Sequence, residues 1–407
     1  MTTSIASSGA FLAILAIVLA LVRPNSHDVH YHPRPYTIDV SPSFIHQTRL
    51  KAANYRHVAD ISAPAWFDGP PTANISNIAQ YMASDYDWFK YQDAINANFS
   101  HFMTTIPGIN GSYPYDIDIH FIHQKSKQQK AIPILLLHGW PSTSLEWEKV
   151  IRPLANPANL SKPAFHVVAP DLPGYGFSPA PRVPGIGSSG YAAICASLMQ
   201  QLGYESYAIY STDLGFAVAL QMVEEYEEKI LNHVTDFYLV PPAATDSQRY
   251  TNNETTYEES QYIASMNAYF SIHSAYASVD SIFPLSISYA LNDSPIGFLA
   301  WMWQLDFTVR DQSSIFTMQE LVSQMMTLFI PGVYGNIRSY KELFPTVWGY
   351  CKPGYPELAS LNFVPRVWVE RTANVTFYQR HQCGGHFPAY TWPEKWLGSM
   401  WEIFATQ

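Results

Sequence analysis

One stretch of the sequence combines a carboxylate with a turn that can expose a nucleophile. An apolar run at residues 207–210 predicts a buried strand, and apolar residues at helical spacing beyond it predict a helix. Asp213 lies at the turn between them, with the small residues Ser211 and Gly215 two positions before and after it. This pattern is typical of a nucleophile elbow, with Asp in the place of the more usual Ser. An Asp in front of a helix is also a common N-cap, so this stretch alone leaves both interpretations open.

Two further loops provide the partners that such a nucleophile needs. His386 stands in the sequence Cys-Gly-Gly-His-Phe at 383–387, after the last predicted strand and before the terminal helix. The sequence His-Gly-Trp-Pro at 138–141 follows an early predicted strand, and its backbone N–H at Trp140, with that of Leu214, can point at an anionic oxygen. A lone His in a Gly-rich loop is more often structural. The chain order of nucleophile and then histidine, each at the end of a strand, favours a catalytic role.

A carboxylate nucleophile predicts a particular reaction. Asp forms an alkyl ester when it displaces a leaving group from a saturated carbon, and water must then cleave that ester. A His opposite the Asp can activate the water, while the oxyanion hole bears the tetrahedral charge. The leaving group is then a halide or an epoxide oxygen, and the second of these needs proton donors.

The elements around these loops predict a mostly parallel α/β sheet. Strands are expected at 132–137, 165–169, 207–210, 234–240, 366–370 and 375–378, with a half-buried strand before them at 116–122. A helix at 191–202 is expected to end at Gly203, and residues 243–347 have helical patterns and no strand signal. Strands that alternate with helices place ligands at the carboxyl ends of the strands.

Composition excludes several other functions. Among 407 residues, 47% are hydrophobic and 15% aromatic, and the net charge of −10 argues against nucleic acid as a partner. Three cysteines are too few for a disulfide framework, no zinc-type spacing occurs, and the His-rich tract at 27–33 is better explained as a linker. A GxGxxG sequence at 185–190 follows a Pro-rich loop rather than a strand, which argues against a dinucleotide site. We expect no cofactor and no metal.

The first residues predict a membrane-targeting segment. The apolar run at 9–22 ends at Arg23 and Pro24, and it fits a signal-anchor or a cleaved signal peptide. Several Asn-X-Ser/Thr sequences are potential glycosylation sites. We therefore expect attachment to the endoplasmic reticulum membrane, or secretion if the segment is cleaved.

From residue 25 onward the chain resembles the microsomal-type epoxide hydrolases. The resemblance rests on the segment 86–96, the loops at 138–141 and 171–178, the Asn-Asp-Ser-Pro stretch within 291–297, and Gly-Gly-His-Phe at 384–387. It implies an α/β-hydrolase fold with an inserted helical cap and an N-terminal extension. The cap positions that match the family's oxirane-binding tyrosines are Tyr276 and Tyr340.

The implied organisation has five parts. They are the signal-anchor or signal peptide at 1–24, an N-terminal epoxide-hydrolase-type domain at 25–125, the first part of the core at 126–242, the cap at 243–347 and the second part of the core at 348–407.

The chain departs from the family pattern at two places. Ser211 and Thr212 precede the nucleophile where the family usually has two glycines, and the β-branched Thr212 makes the elbow tighter. The acid that orients the His is expected shortly before the Val-Pro-Arg sequence at 364–366. Glu357 is the candidate there, although its spacing is about two residues too long, and Asp246 is the alternative.

The resemblance implies an epoxide hydrolase that opens a lipophilic epoxide to a vicinal diol. Asp213 would attack, Tyr276 and Tyr340 would bind the oxygen, and His386 would activate water. A haloalkane dehalogenase is disfavoured because Leu214 stands where an indole usually binds the halide. A membrane-tethered protein that binds lipophilic ligands without catalysis is the alternative from another class. Detoxification and biosynthesis are both compatible with the sequence.

Overall fold

The computed structural model describes residues 31–61, 63–109, 111, 113–309, 316–349, 358–360, 364–381 and 384–405. Their centre is a nine-stranded sheet, as the alternation of strands and helices predicts. The strands are β1 (Arg34–Pro35), β2 (His101–Ile106), β3 (Ile117–Gln124), β4 (Ile132–Leu137), β5 (Phe165–Pro170), β6 (Tyr207–Ser211), β7 (Ile230–Thr235), β8 (Leu358–Ser360) and β9 (Phe377–Tyr378).

The sheet is antiparallel at one side and parallel elsewhere. Its order is β1-β2-β3-β5-β4-β6-β7-β8-β9, and the strands from β5 to β9 in this order run parallel to one another. In the middle, Leu137 at the end of β4 pairs with Ser211 at the end of β6, which pairs with Thr235 at the end of β7. The loops that follow these three strands therefore lie side by side at one edge.

Helices cover the sheet, because strands buried on both faces need apolar cover. The last four residues of β4, at 134–137, are fully buried. The helices outside the cap are α1 (Pro42–Ala53), α2 (Thr72–Ser84), α3 (Trp88–Asn98), α4 (Ile151–Ala155), α5 (Gly187–Gln201), α6 (Asp213–Glu225), α14 (Arg366–Val369), α15 (Pro388–Thr391) and α16 (Pro393–Ile403).

A block of helices lies between β7 and β8 in the chain. It consists of α7 (Ala244–Thr251), α8 (Tyr257–Ala268), α9 (Ala275–Ile282), α10 (Pro284–Asp293), α11 (Pro295–Val309), α12 (Met318–Phe329) and α13 (Val333–Gly349). The N-terminal helices contact this block, where Tyr86 shares a hydrogen bond with Ser323 and the ring of Phe44 packs on Phe329. These contacts hold the cap over the carboxyl edge of the sheet.

Some predicted elements are wrong in detail. The strand expected at 234–240 is β7, which begins at Ile230 and already ends at Thr235. A strand was expected at 366–370, but the structure has the short helix α14 there. A single helical turn after Pro365 buries the adjacent residues Trp368 and Val369 together. No pattern in the sequence predicted β8, which has only three residues.

Two expectations fall on residues that the structure does not describe. They concern the apolar run at 9–22 and Glu357. Within the described ranges, no helix has the length and apolarity that a membrane crossing requires.

Candidate active site

Asp213 occupies a strained turn between β6 and α6. Its φ of 47° lies in the left-handed region, which non-glycine residues seldom adopt and which is typical of a nucleophile elbow. A Cβ at Gly215 would collide with the backbone carbonyl of Leu137, so the turn requires a glycine there. Oδ1 of Asp213 accepts a hydrogen bond from the backbone N–H of Trp140 at 2.9 Å. The carboxylate thus points across to the β4 loop instead of forming the N-cap of its own helix.

Ser211 and Thr212 occupy the two positions before Asp213 where the family usually has glycines. Ser211 Oγ shares a 2.7 Å hydrogen bond with Nε2 of His233, and both side chains are buried. Thr212 has an extended backbone with φ of −138°, which a β-branched residue adopts without strain. The elbow therefore forms without the two glycines.

Trp140 joins the nucleophile to the cap. Its indole N–H donates to Oδ1 of Asn336 on α13 at 3.0 Å, and its ring lies 5.7 Å from that of Tyr276 and 5.8 Å from that of Tyr340. Leu214 is buried in the first turn of α6, where backbone N–H groups have no partner within the helix. Of the two predicted oxyanion-hole residues, Trp140 donates its backbone N–H to the Asp213 carboxylate, and Leu214 follows Asp213 directly in the chain.

His386 lies beside Asp213. Its Nε2 is 3.5 Å from Oδ2 of Asp213, and its ring meets the edge of Phe237 at 5.9 Å. Burial lowers the pKa of His386, but the hydrogen bond and charge of Asp213, with the charges of Asp236 and Glu146, raise that pKa above its ordinary value. The negative charges around His386 therefore favour its imidazolium form relative to a free histidine.

Three cap tyrosines form a chain of phenols above the nucleophile. The hydroxyl of Tyr340 donates to that of Tyr276 at 3.3 Å, and the hydroxyls of Tyr269 and Tyr276 are 3.0 Å apart. Burial, together with neighbouring phenols and the charge of Asp213, raises the pKa of Tyr276 and of Tyr340 well above the usual value. Both phenols stay protonated at neutral pH and can donate hydrogen bonds.

Of the two acids considered for orienting His386, the structure describes only Asp246. Glu357 lies outside the described residues. Asp246, in the first turn of α7, accepts from both terminal nitrogens of Arg371 at 2.7 and 3.1 Å and from Arg249 at 3.5 Å. Its carboxylate is used to join the cap to the core.

Sequence reasoning missed three polar residues near the site, namely Tyr269, Asp236 and Glu146. The carboxyls of the two acids are buried, and burial raises the pKa of Asp236 to about 6 and that of Glu146 to about 8. Glu146 also lines a cavity of about 40 Å³ together with Ser142 and Phe387. The available signal was an acid within an apolar run for Asp236, and an acid soon after the 138–141 loop for Glu146.

The described residues hold no group of three or more His, Cys, Asp or Glu side chains arranged to bind a metal ion.

Two family models match adjoining parts of the chain. Residues 33–147 match the family described as "Epoxide hydrolase N terminus". Residues 132–266 match the family described as "alpha/beta hydrolase fold", and this part includes the elbow. The two matches together run from the first described strand into the cap.

Similar proteins extend the match over most of the chain. "Epoxide hydrolase 1" of Oryctolagus cuniculus is 25% identical over 405 residues, covering 89% of this chain and 86% of its own. "Juvenile hormone epoxide hydrolase 2" of Ctenocephalides felis is 23% identical over 346 residues, covering 79% and 72%. The crystal structure of juvenile hormone epoxide hydrolase from Bombyx mori superposes with a TM-score of 0.79 at 21% identity, covering 94% of this chain and 95% of that one.

Proposed function

The chain belongs to the epoxide hydrolase family with the α/β-hydrolase fold, and we propose that it opens a lipophilic epoxide to a vicinal diol through an ester of Asp213. The observation that supports this most directly is the position of the Asp213 carboxylate. It lies between the N–H of Trp140 and the imidazole of His386, and its charge acts on the phenols of Tyr276 and Tyr340.

In the first step, a carboxylate oxygen of Asp213 attacks one carbon of the epoxide ring. The bond between that carbon and the ring oxygen breaks, and its electron pair stays on the oxygen. Tyr276 and Tyr340 are protonated and largely enclosed, so their hydroxyls donate to the developing alkoxide in a site with little competing water. The product is an alkyl ester of Asp213.

In the second step, His386 removes a proton from water, and the hydroxide adds to the carbonyl carbon of the ester. The backbone N–H groups of Trp140 and Leu214 stabilise the negative oxygen of the tetrahedral intermediate. Collapse of the intermediate breaks the acyl C–O bond, and the proton held by His386 passes to the departing diol oxygen. Asp213 is then a carboxylic acid that carries the water oxygen, and it returns to a carboxylate by losing a proton. This proton accounts for the one that the alkoxide of the first step takes up, so epoxide and water together balance the diol.

The lipophilic character of the substrate is proposed from the aromatic cap. Trp140, Tyr276 and Tyr340 present rings around the nucleophile, and these can pack on an apolar substituent of the epoxide. Membrane attachment through the apolar run at 9–22 remains a prediction from the sequence.

The decisive experiment uses a His386→Gln variant and a panel of lipophilic epoxides. Attack can proceed without the base whereas hydrolysis stalls, so intact mass should increase by one epoxide, and peptide mapping should place it on Asp213. His381→Gln is the matched control, because His381 lies nearby in the chain and bonds Ser399 instead of a site residue. It should form diol at the wild-type rate and accumulate no adduct.

An adduct on another residue would contradict the proposal. If wild type makes no diol from any epoxide in the panel, and the folded His386→Gln variant gains no mass, the protein does not use this chemistry on lipophilic epoxides. Stoichiometric binding without adduct or diol would then favour the non-catalytic ligand-binding alternative.

A further inference from the structure

Asp236 has a buried carboxyl at the catalytic edge of the sheet that the mechanism above leaves without a role. It directly follows β7, whose last residue Thr235 pairs with Ser211 at the end of β6. Asp236 therefore lies level with Thr212, one residue before the nucleophile. The sheet itself brings this acid to the line of loops that contains the site.

The Asp236 carboxylate has no hydrogen bond of normal geometry to any described residue. Both of its oxygens are buried, as are the hydroxyls of Tyr210 and Thr212, which also form none. These two hydroxyls interact with the carboxyl closely enough to lower its pKa, against the larger effect of burial, which raises that pKa. A buried carboxyl without a firm partner is costly, and such groups concentrate at functional sites.

His386 is the titratable base whose charge acts on this acid. Phe237, the residue after Asp236, packs its ring against the His386 ring at an interplanar angle of 87°. The negative charge of Asp236 raises the pKa of His386, and His386 in turn lowers the pKa of Asp236. No direct hydrogen bond joins the two groups, so they interact through their charges across a buried interior where screening is weak.

Among the described residues, the other acid considered for this role is already engaged, because Asp246 is bound by Arg371 and Arg249. Glu357 lies outside the described residues, so a Glu357 variant is part of the test.

We propose that Asp236 is the positioning carboxylate that stabilises the imidazolium of His386 while the ester is hydrolysed. The proposal rests on the proposed function and adds the residue that favours water activation. In the intermediate, Asp213 is an uncharged ester, so its charge no longer supports the proton on His386. Water gives its proton to His386, its hydroxide adds to the ester carbonyl, and Asp236 stays ionised throughout.

Glu146 is a third acid near His386, and it raises the pKa of His386 only when it is ionised. Burial raises the pKa of both acids, to about 8 for Glu146 and to about 6 for Asp236. The charge of Asp236 raises the pKa of Glu146 further, whereas His386 and neighbouring hydroxyls lower the pKa of Asp236. At neutral pH Glu146 is therefore mostly a neutral acid and Asp236 mostly a carboxylate. This difference makes Glu146→Gln the natural control for loss of a carboxyl near His386.

The test measures the ester directly, with the epoxide that gives an adduct in His386→Gln. Asp236→Asn should still form the adduct on Asp213, but hydrolyse it at least about 100-fold more slowly, within the range of general base catalysis. Asp236→Glu, which keeps the charge, should recover part of the rate. Glu146→Gln and Glu357→Gln should turn over without accumulating ester.

The pH profile separates positioning from a structural role. Hydrolysis accelerates as His386 loses its proton, so removal of the negative charge at Asp236 should shift the midpoint of this rise to lower pH in Asp236→Asn. Asp236→Glu should leave the midpoint near that of wild type. Near-UV circular dichroism checks folding, and Asp236→Ser has the same expectation if the Asn variant does not fold.

The outcomes are distinguishable. Wild-type hydrolysis and an unchanged pH midpoint in folded Asp236→Asn would overturn the role of Asp236 and leave the proposed function intact. Ester accumulation in Glu357→Gln, with none in Asp236→Asn, would give the role to Glu357. No adduct in His386→Gln and no diol from wild type would overturn the proposed function, and the role of Asp236 with it.

Discussion

Nε2 of His386 lies 3.5 Å from Oδ2 of Asp213, so the proposed base of the second step lies beside the proposed nucleophile of the first. The Asp213 charge helps to raise the pKa of His386 in the resting enzyme. That charge disappears when Asp213 becomes an ester. Alkylation thereby converts His386 towards the neutral imidazole that can accept a proton from water.

Asp213→Asn imitates the uncharged ester, so we expect the pKa of His386 to fall in this variant. The sign follows from the loss of a negative neighbour, which had favoured the imidazolium. Histidine NMR titration measures the shift, and the other histidines serve as internal controls. An unchanged His386 titration would contradict this coupling. Intact mass must show that the introduced amide has not reverted to a carboxylate by deamidation.

The chain of cap phenols predicts graded effects of Tyr→Phe substitutions. Tyr276→Phe or Tyr340→Phe should slow ester formation by about 10- to 100-fold, because one donor remains, and the double variant should lose about 10³-fold or more. Tyr269→Phe should cost less, since its hydroxyl contacts Tyr276 rather than the nucleophile. Rapid-mixing measurements of ester formation give these rates.

Tyr262→Phe is the matched control for the phenol series. Its hydroxyl is bonded to both backbone groups of Val240, so its loss should lower stability and leave ester formation unchanged. Equal losses in all four single variants would indicate damage to the fold instead of catalysis.

The local part of the site could be predicted from the sequence because it depends on neighbours in the chain. Asp213, Ser211 and Gly215 define the elbow by type and spacing, and the structure has the strand, the strained turn and the helix at that place. The fold class was equally predictable, since alternating strands and helices imply a parallel sheet. Neither inference required knowledge of long-range contacts.

Asp236 could not be predicted, because its role depends on where β7 ends. An apolar run continues through residues 234–240, yet the hydroxyl of Thr235 bonds the backbone carbonyls of Ser211 and Phe237 and accepts from the N–H of Phe237. This local turn ends the strand and leaves Asp236 at the catalytic edge. The same limitation applies to α14, where alternating residues suggested a strand but Trp368 bonds Glu259 from a helical turn.

Asn336 positions Trp140 through a single buried contact. Asn336→Leu would leave the indole N–H of Trp140 and the carbonyl of Leu328 unpaired, so we expect unfolding free energy to fall by about 1–3 kcal/mol. Trp140 packs on both Tyr276 and Tyr340, the proposed oxygen-binding residues, so ester formation should also slow by about tenfold, roughly 1.4 kcal/mol of barrier. Denaturant unfolding and single-turnover kinetics measure the two effects.

Thr327→Val separates these effects, because Thr327 is buried nearby on α12 and bonds only the carbonyl of Gln324 among the described residues. It should reduce stability alone. If Asn336→Leu reduces stability without slowing ester formation, Trp140 does not need this contact for catalysis.

Asp246 is expected to contribute to stability and not to water activation. Asp246→Asn weakens the paired hydrogen bonds from Arg371 and should lower unfolding free energy by about 1–3 kcal/mol. Diol formation should continue without ester accumulation. Arg371→Gln breaks the same contact from the other side and should give a similar loss of stability. Accumulated ester in Asp246→Asn would instead identify Asp246 as the partner of His386.

Asp280 predicts a pH-dependent cost to stability. It is buried on α9 without a normal hydrogen bond to its carboxyl from the described residues, and burial raises its pKa to about 8. In the unfolded chain it ionises near pH 4. Between about pH 4 and 8 only the unfolded state releases this proton, so stability falls as pH rises. Asp280→Asn should therefore have the melting temperature of wild type below pH 4. As the pH rises towards 8, its melting temperature should exceed that of wild type by a growing margin. The exposed Asp93→Asn should show no such divergence, and parallel melting curves for Asp280→Asn would contradict the prediction.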